Sequence, residues 1–247
     1  MTLQEFFTAH PKAAIGFSGG VDSALLLAMA VRLGADVKPY FIKTPFQPEF
    51  ELEDARNTAE RLGVSLTVLE TDVLCRDSVA ANGPDRCYHC KYALFSLLKT
   101  RAAADGYDTV LDGTNASDDL SDRPGAKALE ELGVLSPLRL CGITKAEIRQ
   151  QAKQVGLTVW DKPAYACLAT RIPTGTAIDR ETLQKIEAAE ADLMALGYSD
   201  FRVRVFHGGA RLQLPQSQFP TTPDQYHRLQ AALADRFNPV LLDLKGR

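Results

Sequence analysis

AAIGFSGGVDSALLLAMAVRLG, at residues 13–34, is the stretch of this chain that decides its fold. Residues 13–17 are apolar, which is typical of a parallel strand buried on both faces, and residues 24–33 have the composition of a helix that packs on a sheet. A short polar turn, residues 18–23, joins the end of the strand to the start of the helix. The stretch therefore predicts an α/β fold with this turn at one edge of a parallel sheet.

The turn has the residue types of a phosphate-binding loop. Gly19 and Gly20 let the backbone come close to an anion, so that consecutive N–H groups can point at phosphate oxygens. The helix N-terminus that follows adds unpaired donors and a partial positive charge. Ser18 and Ser23 supply hydroxyl donors, whereas Asp22 is better suited to holding Mg²⁺ or the loop itself than to contacting a phosphate.

Two common nucleotide motifs are excluded at this turn. It lacks the Gly-Lys-Ser/Thr ending of a Walker-type loop, and it lacks G-x-G-x-x-G. The hexapeptide SGGVDS instead resembles the pyrophosphate loop (PP-loop) of the ATP pyrophosphatases, which split ATP into AMP and pyrophosphate and adenylate an oxygen of the substrate. The alternative interpretation is an ordinary β-to-α turn capped by Ser18.

Composition limits the class of protein. The 247 residues carry 28 Lys and Arg against 31 Asp and Glu, so no global positive field would attract nucleic acid. No uninterrupted apolar run approaches about 18 residues, and the N-terminus lacks the basic-then-apolar order of a secretory signal. We therefore expect a cytoplasmic protein with neither a membrane nor a nucleic acid as partner. The five cysteines are then expected to be reduced, metal-bound or catalytic rather than paired as disulfides.

Strand and helix patterns alternate after the first unit. The periodicities predict strands at residues 36–42, 64–70 and 108–113, and helices at residues 49–62 and, from a capping box, 144–155. Alternation of this kind indicates a parallel sheet with right-handed crossovers. Pro39 within the second strand favours an edge position or an irregularity for that strand.

Polar side chains follow the predicted strands where each strand ends. Thr44, Asp72 and the run from Asp112 to Asn115 all occupy such positions. Because ligands of open parallel sheets bind at the carboxyl ends of the strands, these residues are expected to gather near Ser18. Thr44, Gly113 and Thr114 are therefore candidate nucleotide contacts.

A second segment whose residue types could carry chemistry, CYHCK, follows an irregular stretch at residues 73–82. Cys87 and Cys90 place two thiols within one turn, a spacing that suits zinc, an iron–sulfur cluster or a redox dithiol. The alternative is a loop cysteine followed by a buried, inert one. Lys91 is a candidate phosphate contact, although a solvated helix lysine is the common alternative.

Residues 160–178 form a third segment of interest, without helical or strand periodicity. It carries Cys167, with Arg171 four residues on and Lys162 five residues before. Positive charges near a cysteine stabilise the thiolate, so Cys167 is a candidate nucleophile or metal ligand, and Arg171 a candidate catalytic partner. The alternative is a buried, inert thiol.

The character of the sequence changes after Gly175. A helix at 181–196, a hairpin at 201–215, a second helix at 224–237 and a strand at 239–244 indicate a small α+β domain. We therefore predict two domains, residues 1–175 and 176–247. In the hairpin Arg202 and Arg204 share one face, which suits a phosphate or carboxylate ligand as well as it suits solvent exposure.

The ordered set of motifs resembles one family over nearly the whole length: the ATP-dependent sulfur transferases of nickel-pincer nucleotide biosynthesis. The segments that carry the resemblance are, in order, SGGVDS, CYHCK, DGTNASDDLSDRPGAKALEELGVLSPL, KPAYACLATRIPTG and FRVRVFHGGARL. The resemblance implies a PP-loop domain that adenylates a carboxylate of a pyridinium dicarboxylate mononucleotide with ATP and Mg²⁺. Sulfur then displaces AMP to give a thiocarboxylate. It also implies a homo-oligomer, a trimer or hexamer.

The family has two branches that differ in the source of sulfur. In one, the cysteine at the position of Cys167 gives up its own sulfur and becomes dehydroalanine. In the other, three cysteines hold a [4Fe–4S] cluster whose fourth iron can carry a further sulfide. Because this chain has Cys87, Cys90 and Cys167, it resembles the cluster branch.

Two positions depart from the family pattern. The family commonly has a tyrosine before the arginine of the RPG motif, whereas here Asp122 precedes Arg123 directly. Gln213 stands where the family has a glutamate, which puts a metal site in the C-terminal domain in doubt. A tRNA thiolase with the same loop, a nucleotide or iron–sulfur sensor without turnover, and an amide-forming ligase are the alternative functions.

Overall fold

The computed structural model describes residues 1–119 and 124–247. In chain order the helices and strands are α1 (Leu3–Ala9), β1 (Lys12–Gly16), α2 (Val21–Arg32), β2 (Asp36–Lys43), α3 (Glu49–Arg61), β3 (Thr67–Glu70), α4 (Asp77–Ala80), α5 (Arg86–Ala104), β4 (Val110–Leu111), α6 (Pro124–Glu131), α7 (Pro137–Leu140), α8 (Lys145–Gln154), α9 (Arg180–Ala195), β5 (Arg202–Phe206), β6 (Gly209–Gln213), α10 (Pro223–Ala234) and β7 (Val240–Leu242).

The chain forms two compact units. The first consists of Met1–Val73 and Asp85–Lys162, and the second of Leu74–Pro84 and Pro163–Arg247. The domain boundary predicted at residue 175 falls inside the second unit, so that boundary stays a prediction. None of the helices among the described residues is long and apolar enough to cross a membrane.

The first unit is built on a four-stranded parallel sheet with the order β3-β2-β1-β4. Strand β1 lies between two neighbours, and its residues Ala13, Ala14 and Ile15 are fully buried. Helix α2 packs over the sheet through a continuous run of buried residues from Ala24 to Ala28. The predicted α/β class is confirmed, since a strand buried on both faces needs this apolar composition.

Strand β2 is an interior strand, so the edge position suggested by Pro39 is wrong. Pro39 pairs with Ile15 of β1, whereas pairing with β3 begins one residue later, at Tyr40 and Thr67. At Pro39 the strand therefore has a neighbour on one side only. A proline is tolerated there because its missing N–H breaks no ladder bond.

The second unit contains a three-stranded sheet with the order β5-β6-β7, in which β5 and β6 are antiparallel and β6 and β7 are parallel. The stretch at 73–82, which sequence patterns leave irregular, includes helix α4 and belongs mostly to this unit. Its buried Asn82 explains why: the amide donates to the carbonyls of Pro173 and Thr176, both at 2.9 Å. A buried side-chain amide thus joins two segments far apart in the chain.

Asp105, after α5, should make stability depend on pH. Hydrogen bonds from Lys38 Nζ at 2.6 Å and from the Tyr40 hydroxyl at 2.7 Å lower its pKa from 3.8 to about 2. The ionised carboxylate therefore favours the folded state above about pH 4, and this stabilisation is lost as the pH falls towards 2. We expect Asp105→Asn to lower the free energy of unfolding at pH 7, with the deficit shrinking below pH 4.

Urea unfolding of both proteins between pH 7 and pH 3 tests this expectation. Asp224→Asn, which removes an exposed carboxylate paired with Arg228, is the matched control and should change little. A deficit that stays constant down to pH 3 would contradict the assignment.

Candidate active site

The turn after β1 strongly favours glycine at residue 19. Gly19 has a φ of +75°, in the left-handed region, and a Cβ placed on it would lie 3.0 Å from the amide nitrogen of Ala55 and 3.1 Å from the carbonyl oxygen of Glu51. Both atoms belong to the backbone of α3, so no side-chain rotation can relieve the close contact. The turn is therefore pressed against α3.

The two serines of the turn hold it closed. The Ser23 hydroxyl donates to the carbonyl of Gly20 at 3.2 Å and accepts the Ser18 N–H at 3.2 Å. The hydroxyls of Ser18 and Ser23 are 3.1 Å apart, and the Gly20 N–H donates to Ser18 Oγ at 3.3 Å. Both predicted phosphate donors thus also fix the shape of the loop.

The start of α2 is open to an anion. Gly20 is the residue before the helix, and within the described part of the chain no side chain caps the first turn. The first N–H groups of a helix have no partner inside it, so main-chain donors and the positive end of the helix dipole face outward. This is the geometry that favours phosphate binding.

The loop after β4 lies directly against this helix start. A Cβ on Gly113 would be 3.0 Å from the amide nitrogen of Ser23 and 3.3 Å from its Cα. The Thr114 hydroxyl donates to the carboxylate of Asp112, which also accepts the Ser136 hydroxyl at 2.6 Å. Gly113 and Thr114 are thus brought to the same edge of the sheet as the turn, as the sequence predicts.

Lys145 is a residue that sequence reasoning missed. Its Nζ lies 2.6 Å from Oδ2 of Asp22, although the two residues are 123 positions apart in the chain. The capping box of Thr144 and Glu147 starts α8 and thereby presents Lys145 in its first turn. No local pattern announces the ion pair, because it depends on the contact between α2 and α8.

One carboxylate oxygen of Asp22 is not used in the ion pair with Lys145. This oxygen, Oδ1, is buried and has no hydrogen-bond partner among the described residues. An orphaned carboxylate oxygen is costly unless a cation or water completes it. The donor chemistry therefore fits the predicted Mg²⁺, which prefers carboxylate oxygens.

Thr44 is buried at the end of β2 and organises its own turn. Its hydroxyl donates to Gln47 Oε1 at 2.7 Å and accepts the Phe46 N–H at 3.0 Å. A nucleotide contact from this residue would compete with those bonds. Its predicted role as a nucleotide contact stays a prediction.

Cys87, Cys90 and Lys91 lie in the first two turns of α5. Cys87 is exposed and Cys90 is half-buried, and their spacing of three residues puts both on one face of the helix. Lys91 lies against α6, because a Cβ on Gly125 would be 2.9 Å from the Lys91 Cδ. The two thiols suit two positions of a metal or cluster site.

Cys167 belongs to the second unit and lies directly before a 3₁₀ turn, Leu168–Arg171. Its carbonyl accepts the N–H of Thr170 at 3.0 Å and the Thr170 hydroxyl at 2.8 Å. Arg171 is buried and pairs with Glu190 through two hydrogen bonds, at 2.8 and 2.9 Å. Burial alone would lower the pKa of Arg171, but the hydrogen bond and charge of Glu190 outweigh it and raise that pKa.

The two arginines of the hairpin point to main-chain oxygens. Arg202 is buried and donates to the carbonyls of Phe201 and Ala164 at 2.6 and 2.7 Å, and burial together with the charge of Arg171 lowers its pKa to about 10. Arg204 donates to the carbonyl of Thr170 at 2.7 Å. An anion would have to compete for these guanidiniums, and their role as anion ligands stays a prediction.

Two further predictions concern metals and the RPG motif. Among residues 1–119 and 124–247, no three His, Cys, Asp or Glu side chains form a group that could hold a metal ion. The Gln213 amide accepts from Arg204 Nε at 2.6 Å and donates to Asp243 at 2.8 Å, contacts that suit an amide. Asp122 and Arg123 lie outside the described residues.

The parallel sheet and the glycine turn at the start of α2 define an α/β enzyme of the PP-loop ATP pyrophosphatase class, which uses ATP. The chain is 35% identical, over 95% of its length and 86% of the relative's, to the pyridinium-3,5-bisthiocarboxylic acid mononucleotide synthase of Lactiplantibacillus plantarum. It belongs to the family of that synthase.

The chain is also similar to other proteins. An uncharacterized protein of Synechocystis, slr1717, is 41% identical over 87% of this chain and 81% of its own. A tRNA-specific 2-thiouridylase, MnmA of Frankia alni, is 33% identical over 59% of this chain and 51% of its own. No protein-family profile matches the chain. Both named relatives are sulfur-transfer enzymes, and this chain is an enzyme of sulfur transfer.

Proposed function

We propose that this enzyme uses ATP to adenylate a carboxylate of pyridinium-3,5-biscarboxylic acid mononucleotide and then replaces AMP by sulfur to give the thiocarboxylate. The observation that carries the proposal is the open, glycine-lined start of α2 at the carboxyl edge of the sheet. The 35% identity to a synthase named for the bisthiocarboxylic acid product supports the choice of substrate.

The first unit supplies the adenylation step. A substrate carboxylate oxygen attacks the α-phosphorus of ATP, and pyrophosphate leaves with the electron pair of the broken P–O bond. Main-chain donors of Gly19, Gly20 and the start of α2 would bind the phosphates, with Ser18 and Ser23 beside them. Asp22 Oδ1 would hold Mg²⁺, which neutralises charge on the leaving pyrophosphate.

Residues around this start complete the proposed nucleotide site. Gly113 brings the loop after β4 to the first turn of α2, and Thr44 and Thr114 follow β2 and β4, the two strands that flank β1. Lys145 and Lys91 would contact phosphate oxygens, for which ammonium groups are suitable donors. Lys145 would leave Asp22 as a phosphate and a metal enter.

In the sulfur step, a sulfur nucleophile rather than water must attack the acyl adenylate. Sulfur attacks the carbonyl carbon of the acyl adenylate, and AMP leaves with the electron pair of the C–O bond. In the sacrificial route Cys167 forms a thioester, loses its α-proton and releases the thiocarboxylate, leaving dehydroalanine. Arg171 would stabilise negative charge near Cys167, and Arg202 and Arg204 would bind anionic groups of the substrate.

We infer the cluster route for this chain, with Cys87, Cys90 and Cys167 as ligands of a [4Fe–4S] cluster. Such a cluster, held by three protein thiolates, would supply a site for an additional sulfide and would make sulfur transfer catalytic. The support is the set of cysteines: two thiols lie on one face of α5, and Cys167 lies in KPAYACLATRIPTG, another segment that carries the family resemblance. Cys75 and Cys141 take no part in it.

Anaerobic reconstitution with iron and sulfide tests the cluster. We expect a broad visible absorption near the range typical of iron–sulfur proteins, weakened by replacing any one of the three cysteines with alanine. Cys141→Ala, a half-buried thiol outside the set, is the control. A colourless protein whose mass falls by one H₂S on reaction with ATP and substrate would establish the sacrificial route instead.

Product analysis separates this function from the alternatives. We expect pyrophosphate, AMP and a thiocarboxylate in equal amounts from the mononucleotide. A sensor would release no pyrophosphate, and an amide-forming ligase would keep its activity without the three cysteines. Thiolated tRNA in place of a thiocarboxylate would favour the tRNA thiolase.

Partners and location follow from the same proposal. The partner is a small mononucleotide, with neither nucleic acid nor membrane required for the reaction. We propose a cytoplasmic homo-oligomer, a trimer or a hexamer, and size-exclusion chromatography with light scattering measures that state.

A further inference from the structure

The segment around Cys167 is irregular but tied on both sides of the cysteine. Arg171 Nη1 donates to the carbonyl of Ala166 at 3.0 Å, and Thr170 donates twice to the carbonyl of Cys167 itself. These bonds close the segment into a tight turn. They leave open what fixes the turn to the rest of the unit.

Arg202 and Arg204 of β5 contribute by donating to the carbonyls of Ala164 and Thr170. Glu190 of α9 contributes a carboxylate that receives donors from both sides of the cysteine. Its Oε1 accepts from Arg171 Nε at 2.8 Å and from the N–H of Val203 at 2.9 Å. Its Oε2 accepts from Arg171 Nη2 at 2.9 Å and from the hydroxyl of Tyr165. One carboxylate, only 1% exposed, therefore receives four hydrogen bonds from three residues in two segments.

The donors to this carboxylate lie on both sides of Cys167 in the sequence. Tyr165 lies two residues before Cys167 and Arg171 lies four residues after it, while Val203 is in β5. The Tyr165 ring also lies against the guanidiniums of Arg171 and Arg202, at 4.6 and 5.5 Å. The two ends of the cysteine-bearing turn thus meet at Glu190.

A buried ion pair is not needed for stability alone. Well-packed apolar side chains often stabilise a protein as much as a buried pair of this kind. A carboxylate that accepts hydrogen bonds from residues on both sides of one cysteine instead fixes the conformation of the backbone between those residues. This argues for a role in placing Cys167.

We propose that Glu190 is the positioning residue that holds the Cys167 turn in the geometry required for the sulfur step. The role in the reaction rests on the proposed function of Cys167, whereas the effect on the turn can be measured without it. Removing the charge should loosen residues 164–171 and slow sulfur transfer, while the first unit and its adenylation step stay as they are.

The test compares Glu190→Gln and Tyr165→Phe with the unaltered chain. Hydrogen exchange by mass spectrometry should show about tenfold faster exchange in residues 164–171 of Glu190→Gln, since hydrogen bonds to charged groups are lost, with a smaller change in Tyr165→Phe. Strand β6 and helix α2 should exchange unchanged. Thiocarboxylate formation should fall about tenfold in kcat, with the KM for ATP and pyrophosphate release unchanged.

Glu181→Gln is the matched control. Glu181 is an exposed carboxylate on the same helix, and its ion pair with Lys185 is local, spanning one helical turn. It should alter neither exchange nor product formation. Exchange that rises equally over all of residues 163–247 in Glu190→Gln would assign Glu190 a general structural role and overturn the proposal. So would unchanged exchange at 164–171 in both variants. If the unaltered chain forms no thiocarboxylate, the proposed function fails, and the exchange data still decide the role of Glu190 in the turn.

Discussion

Cys167→Ala is expected to abolish thiocarboxylate formation, by roughly a thousandfold or more, and to leave ATP-dependent pyrophosphate release in place. In the proposed reaction Cys167 supplies sulfur or holds the group that carries it, whereas the proposed nucleotide site is built from the first unit. The adenylate then has only water to react with, and its hydrolysis returns the dicarboxylate with AMP. Liquid chromatography with mass spectrometry measures the thiocarboxylate, and a coupled phosphate assay measures pyrophosphate.

Cys141→Ala provides the comparison for a cysteine outside the three. Burial raises the pKa of the Cys141 thiol, which keeps it in its unreactive form. This variant should form thiocarboxylate at the unaltered rate. Thiocarboxylate formation by Cys167→Ala at more than a few per cent of that rate would remove Cys167 from the mechanism.

Gly19→Ala should lower ATP-dependent pyrophosphate release at least about a hundredfold, because a shift of about 1 Å in a catalytic loop has effects of that size. The added methyl would lie 3.0 Å from a backbone nitrogen of α3, and neither side of this contact can yield by rotating a side chain. The turn must therefore move away from α3 and carry its phosphate-binding N–H groups with it. Initial rates at saturating ATP measure the effect.

Gly34→Ala separates the contact from the backbone strain. Gly34 has a φ of +76°, nearly the same as Gly19, but nothing lies within 4 Å of a Cβ placed on it. Both variants should lose about 1 kcal/mol of stability through the left-handed conformation. Only Gly19→Ala should lose activity, and equal losses of activity in the two would show that strain rather than the contact with α3 is responsible.

Much of the candidate nucleotide site was predictable from the sequence. The strand at 13–17, the turn at 18–23 and the helix after it are local features, written in hydrophobic periodicity and in glycines that only a special backbone conformation requires. The positions of Gly113 and Thr114 follow from topology, because parallel strands end at one edge of a sheet. Lys145 did not follow, since its pairing with Asp22 depends on how α8 packs against α2.

The second unit was less predictable, for a related reason. Periodicity places α9, the hairpin and α10 within one to three residues of their observed bounds. It does not indicate that Leu74–Pro84 joins this unit, because the bonds of Asn82 to Pro173 and Thr176 connect residues about ninety positions apart. It also does not indicate that Arg202 is buried and donates to the carbonyls of Phe201 and Ala164 in its own unit, while its role as an anion ligand stays a prediction.

The sequence by itself determined the α/β class, the glycine turn after β1 and the three candidate segments, because each of these is encoded in neighbouring residues. Only the tertiary structure decided what surrounds Asp22 and Cys167: the ion pair of Asp22 with Lys145, and the four hydrogen bonds that Glu190 accepts beside the turn of Cys167. Electrostatic and hydrogen-bond partners are chosen by proximity in space. Nothing in the local order of residues specifies which distant side chain will arrive there.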